Sequence, residues 1–197
     1  RGLAQGKYPE LLKNMVFVIN PIYNADGNEK FGPQAQNRPG QNGPELVGVR
    51  TNSQGFDLNR DCMKAESPEM RAVLSGINQV WDPDVVYDLH TTNGTRHGYE
   101  LTYSPSLHPN TPKGILDYSR DELMPQVRAE LARKFNLLTF DYGNAVGQGE
   151  SQHWETFGWE GRYVTNYAGI SGRVSVLSEA TVYWPFKDRV IATDRFV

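Results

Sequence analysis

A single α/β domain is what this sequence predicts, and three observations predict it. Short apolar runs of strand length end in polar or ionisable residues, a well-capped amphipathic helix lies between two of them, and 197 residues suit one sizeable core better than two.

Taken in chain order, "MVFVIN" (15–20) is β-branched and apolar and is stopped by Pro21, which predicts a buried strand entering a loop. Residues 21–55 hold Asp26-Gly27, Pro39-Gly40 and Asn42-Gly43-Pro44, so turns dominate and only short strand pieces such as "ELVGVR" fit. A loop of that length inside a compact domain is more often functional than idle. "SPEMRAVLSGINQV" (67–80) has Ser67 as N-cap, Pro68 at the first helical position and Met70, Val73, Leu74, Ile77 and Val80 on one face. "PDVVYDLH" (83–90) is then a strand, and the intervening helix implies a crossover between parallel strands. "GYELTYS" (98–104) is a further strand, residues 119–136 a helix begun or interrupted near Pro125, and "LLTFDYG" a return to the sheet. Residues 143–172, rich in Gly and aromatics, predict irregular, site-forming surface; "RVSVLSEA" (173–180) predicts a strand, and a last helix begins at "PFKDRV".

Composition narrows the functional classes. The chain is 38% hydrophobic, 11% aromatic and 22% charged, as in ordinary folded domains. No apolar run approaches the roughly 20 residues needed to span a bilayer. A net charge of -3 disfavours a nucleic-acid partner, which would call for a basic patch. Cys62 is the single cysteine and cannot form an internal disulfide. The opening "RGLAQGKYPELLKN" begins without Met and reads as an element already under way, so the chain is expected to be a piece of a longer protein.

Two apolar runs end in ionisable groups, "VVYDLH" at His90 and "VSVLSE" at Glu179. Ligands gather outside the carboxyl ends of strands in α/β sheets, so a site is expected there. An imidazole at that position can bind a metal or move protons, and a half-buried carboxylate can act as a general base. Each also has a plain alternative: a hydrogen-bonded histidine, and a glutamate paired with an arginine. "GFDLNRD" (55–61) sets Asn59 beside Arg60, a pair suited to a carboxylate, although a helix-capping Asn next to a solvated Arg is the plain reading.

"VINPIYNADGNE", "VRTNSQGFDLNRD", "VVYDLHTTNG" and "VSVLSEA", in that order, resemble the zinc carboxypeptidases of the M14, carboxypeptidase A-like, family. The resemblance runs from about residue 15 to 186 and implies one catalytic-domain fragment with a mixed, mostly parallel central sheet and helices on both faces. It implies Zn2+ as cofactor with His90 as its last ligand, Glu179 as general base, Arg50 as oxyanion stabiliser, and Asn59 with Arg60 as the grip on the substrate's terminal carboxylate. The family's mobile tyrosine has two candidates, Tyr167 in "TNYAGISGR" and Tyr163 in "GRYVTNY", with Tyr167 ahead because small residues surround it. The implied substrate is a peptide, or an acylated amino acid, bearing a free carboxylate, and the implied location is secreted or periplasmic.

The family's other two zinc ligands sit in a His-x-x-Glu element upstream of the "MVFVIN" strand, and no histidine precedes His90 here. They are therefore expected upstream of Arg1, and the chain alone is expected to be inactive. His97, His108 and His153 lie in polar or Gly- and Pro-rich surroundings and read as surface residues. Two alternatives stand beside the peptidase: an N-acyl amino acid deacylase of the aspartoacylase and succinylglutamate desuccinylase type, towards which "DLHTT" pulls, and a metal-free carboxylate-binding pseudo-enzyme.

Overall fold

In the computed structural model, which describes residues 2–92 and 94–197, four strands form the central sheet: β1 (Val85–Thr92), β2 (Leu101–Pro105), β3 (Thr139–Asp141) and, after a small hairpin β4 (Asn144–Val146) and β5 (His153–Glu155), β6 (Val174–Thr181). Their spatial order is β1-β6-β2-β3. β6 runs parallel to β1 and antiparallel to β2, and β2 runs parallel to β3, so the sheet is mixed and mostly parallel. β6 is central, paired on both edges, and seven of its eight residues are buried. Its apolar run is that of a strand covered on both faces.

Four longer helical segments accompany the sheet: α1 (68–81), α2 (113–135), α3 (Val164–Ile170) and α4 (Phe186–Phe196). α2 and α4 cover one face, where Leu101, Tyr103, Leu131, Val176, Ala192 and Phe196 form the buried core. Tyr103 and Phe196 stack with ring centroids 5.9 Å apart. Arg128 of α2 donates to the Tyr103 hydroxyl at 2.8 Å and pairs with Asp141 at 3.1 Å, tying the helix to β2 and β3. α3 packs on β6 and β1 from the opposite side, where the Ser175 hydroxyl donates to Thr165 O at 2.8 Å. Fully burying one large apolar side chain is worth about 1.5–3 kcal/mol, so the first of these layers carries most of the stability.

Several expected elements differ in detail, each for a physical reason. Residues 15–20 form no strand: Val16 is 76% and Ile19 66% exposed, and β propensity without a partnered edge does not make a strand. "ELVGVR" contributes only Leu46–Val47, paired antiparallel with Gly32–Pro33. α2 begins at Lys113, earlier than expected, and passes through Pro125 because a π-helical stretch, Tyr118–Leu123, absorbs the proline's missing N–H and ring clash. Within the segment expected to be irregular, residues 164–170 are helical.

The loop that carries the Asn-Arg pair is held by buried polar side chains. Asn52 accepts from Gln54 N and Phe56 N through Oδ1 and donates to Glu69 through Nδ2 at 3.0 Å. Asp57 accepts from Asn59 N at 3.1 Å, capping the single turn Leu58–Arg60. Asp61 is 3% exposed and accepts from Glu66 N, Ser67 N and the Ser67 hydroxyl at 2.9, 2.8 and 2.6 Å. Ser67 in turn caps α1 by accepting from Met70 N, as the sequence predicts. Burial raises the Asp61 carboxyl, but these three donors outweigh it and hold the group below its usual value.

Asp61→Ala strands those donors and should cost about 2–4 kcal/mol in denaturant unfolding, with Asp61→Asn recovering part of it. Because the folded-state value is depressed, the Asp61 contribution is full above about pH 4 and is lost as pH falls through the lower folded value. The wild type should therefore lose stability on acidification more steeply than Asp61→Asn, and parallel acid profiles would refute this.

Candidate functional site

Strand register brings His90 and Glu179 together. β1 and β6 pair parallel with His90 opposite Glu179 and Asp88 opposite Leu177. Neighbours in register point to the same face, so the two ionisable groups at the ends of separate apolar runs share one surface. Asp88, two residues before His90, lies on that face as well, and its Oδ1 is 2.9 Å from His90 Nε2. Burial would push the imidazole down, but Asp88, through its charge and hydrogen bond, with help from Glu179, raises it to about 9.

Glu179 is 8% exposed, and its Oε2 is buried with no hydrogen-bond partner among the described residues. Burial raises its carboxyl to about 7; the His90 and Arg50 charges oppose that rise and Asp88 adds to it. A carboxylate that takes and releases protons near neutrality has the property a general base needs.

Glu179 lines a cavity of about 90 Å³ together with Asn59, Arg60, Tyr142, Phe157 and Tyr163. The Arg60 guanidinium lies over the Tyr163 ring, 4.8 Å from its centroid, and Nη1 donates to Asn59 O at 2.6 Å. No carboxylate among the described residues pairs with it. A guanidinium held flat against an aromatic ring keeps its remaining N–H groups for a ligand. The Tyr142 hydroxyl is raised by burial and by the Glu179 charge, and it bonds to the side chains of Thr92 and Asn144.

Arg50 lines a second cavity of about 650 Å³, with His90 and Asn59 in its wall. Asn59 thus borders both spaces. Arg50 Nε pairs with Asp57 Oδ2 at 2.9 Å. Its backbone is fixed by the Asn-x-Asp-Gly element: Asn24 Nδ2 donates to Arg50 O at 2.9 Å, Gly27 O accepts from Val49 N at 2.9 Å, and the Asp26 carboxylate accepts from Ser53. A Cβ on Gly27 would come within 2.7 Å of Thr51 O, so the glycine permits this close approach.

Of the residues singled out in the sequence, Glu179, Asn59 and Arg60 line the smaller cavity, and His90, Arg50 and again Asn59 line the larger. Tyr167 lies on α3 and lines neither, whereas Tyr163 lines the smaller. Sequence reading passed over Asp88, although its i, i+2 spacing from His90 in a strand signals a shared face; for Tyr142 there was no such signal. Cys62 is buried, its thiol pushed up to about 12 by burial and nearby acids, and is inert. Among the described residues no group of three His, Cys, Asp or Glu side chains could hold a metal ion. A zinc site needs at least three protein ligands, so these residues alone do not fit the ion.

No protein-family model matches the chain, and no curated protein does. Solved structures do. A metallo-carboxypeptidase from Burkholderia cenocepacia is similar at 18% identity and a TM-score of 0.53, over 76% of this chain and 38% of that one. A metallo-carboxypeptidase from Pseudomonas aeruginosa, in complex with (2-guanidinoethylmercapto)succinic acid, is similar at 18% identity and a TM-score of 0.52, over 80% of this chain and 42% of that one. The matched region spans about two fifths of these neighbours. The likeness shows the fold: the mixed α/β architecture seen in metallo-carboxypeptidases.

An NMR titration of the metal-free chain should find His90 protonated through neutral pH and losing its proton near pH 9. Asp88→Asn should bring that midpoint below the ordinary 6.5, because burial then acts unopposed. As the folded value is raised, the pair's stabilisation is full below pH 6.5 and fades as pH rises through about 9. An unchanged midpoint in Asp88→Asn would remove Asp88 from this role.

Proposed function

We propose that this chain supplies the carboxylate clamp and general base of a zinc-dependent M14-type carboxypeptidase, which hydrolyses the C-terminal peptide bond of peptides. The observation that carries the reading is the smaller cavity, where a buried, near-neutral Glu179 faces the same space as Asn59 and Arg60. A base beside a carboxylate clamp selects the bond next to a chain end.

In this reading Arg60 meets the terminal carboxylate with two parallel charge-assisted hydrogen bonds, and the Asn59 side chain adds a third donor. Tyr163, stacked on Arg60, closes the cavity over the bound residue. Glu179 takes a proton from the attacking water and passes it to the leaving amine. Arg50 stabilises the developing oxyanion, a role worth roughly 3–4 kcal/mol for comparable donors. The Arg50–Asp57 pair fixes the guanidinium in advance, so no reorganisation is needed at the transition state. The resemblance assigns zinc to His90 together with a His-x-x-Glu pair upstream of Arg1. The deacylase shares the base and the metal but not the preference for a peptide chain end.

Three measurements test this reading. Zinc titrated into the chain should bind weakly and below one equivalent; tight stoichiometric zinc would overturn the assignment of two ligands upstream. In the protein carrying the full ligand set, Glu179→Gln should lower kcat at least about 10³-fold with metal content unchanged, and wild-type kcat/KM should fall as pH drops below about 7, where Glu179 becomes protonated. Arg60→Lys should weaken free-acid peptides about tenfold while leaving C-terminal amides nearly unchanged. Equal losses for acid and amide would refute the clamp.

A further inference from the structure

Two arginines line the larger cavity, and only one has an acid partner. Arg50 pairs with Asp57. Arg38 lines the same wall and is half-buried, yet among the described residues its guanidinium takes part in no ion pair or side-chain hydrogen bond. Burial, followed by the Arg50 charge, holds it below the usual arginine value, while Asp57 pulls the other way.

This arginine is not a loosely tethered surface residue. Its N–H donates to Gln34 O at 2.8 Å, and its carbonyl accepts from the Gln34 side chain and from Gln41 N. The preceding Asn37 donates through Nδ2 to Lys30 O at 3.1 Å and Val47 O at 2.8 Å. A cation so fixed, partly desolvated and beside a second cation is an incomplete arrangement that an anion completes.

Placement says which part of a substrate that anion belongs to. Asn59 borders both cavities, the clamp and Glu179 lie on the side of the smaller one, and His90 and Arg50 on the side of the larger. A chain end gripped in the smaller space therefore sends its acyl portion into the larger. We propose that Arg38, with the edge of Arg50 that Asp57 leaves free, forms an anion subsite, so that preferred substrates carry an acidic group on the acyl side of the scissile bond. The acyl-side placement rests on the carboxypeptidase reading; the anion subsite itself does not.

Calorimetric titration of the chain at about 20 mM salt, where screening is weak, tests it with N-acetyl-Glu-Phe against N-acetyl-Gln-Phe, each as free acid and as C-terminal amide. The Glu peptide should bind about tenfold tighter than the Gln peptide. Arg38→Ala should erase that preference while leaving the Gln peptide within about twofold, and Arg38→Lys should keep part of it, as expected for charge rather than fork geometry. Equal binding of the two peptides by the wild type, a preference that survives Arg38→Ala, or no binding of the Glu peptide would each overturn the subsite. The amides separate the two readings. Amides that bind as tightly as acids sink the Arg60 clamp, while an Arg38-dependent preference for Glu still establishes the subsite.

Discussion

The site depends on the register of β1 against β6. Parallel pairing sets His90 beside Glu179, and a slip of one residue would send one of them to the opposite face. Register is held from the other edge as well, because β6 also pairs antiparallel with β2, with Thr102 opposite Glu179. β6 is thus locked between two partners and buried along nearly its whole length. Leu101, Tyr103 and Val176, all essentially inaccessible, pack against α2 and α4 on the side away from the cavity. The apolar layer therefore fixes the strand that carries the base, and the base inherits that rigidity.

The loops around the site use a different physics. Residues 48–61 contain little regular structure, so their backbone groups find partners in side chains: Asn24, Asp26, Asn52, Asp57 and Asp61. Short polar side chains suit this because they reach backbone N–H groups without leaving the segment. The "DLNRD" stretch reads accordingly as two anchors around a functional pair. Asp57 and Asp61 hold the turn, and Asn59 and Arg60, which they display, stay free to meet a ligand. A helix-capping role for Asn59 is not needed, since Asp57 caps that turn.

How much of this was legible in the sequence follows from which interactions are local. The strand ends at His90 and Glu179 were readable because apolar runs with an ionisable stop report their own burial. The Ser67 cap and Pro68 start were readable because capping chemistry lies within four residues. Residues 15–20 have the composition of a strand, yet no neighbour is available to pair with them here, and composition cannot report that. The choice between Tyr163 and Tyr167 depended on the start of α3: Tyr163 precedes it and turns towards Arg60, while Tyr167 is carried within the helix. Small neighbours suggested mobility at Tyr167, but in the structure Ala168 and Gly169 are buried helix residues, with Gly169 close against Ser106. The Asp88–His90 pair depends only on strand periodicity and was the most recoverable of the features passed over.

Burying Glu179 has an energetic consequence that shapes the rest of the domain. Its folded value of about 7, against an ordinary 4.5, means that folding disfavours the charged form, by about 3 kcal/mol at pH values well above 7. An unpartnered Oε2 adds to that cost, and the neighbouring β6 positions Ser178 and Thr181 also bury unpartnered hydroxyl oxygens. A core strand selected only for stability would carry apolar residues there. The deficit is tolerable because the same strand buries Val176, Leu177 and Ala180, and because Arg50 and His90 act from two sides to keep the carboxylate from rising further. Those two residues therefore set how readily the base ionises as well as forming the wall that faces it. The electrostatics that make Glu179 reactive near neutrality and the packing that holds it in register are one arrangement, in which stability is given up at one buried oxygen and recovered along the strand.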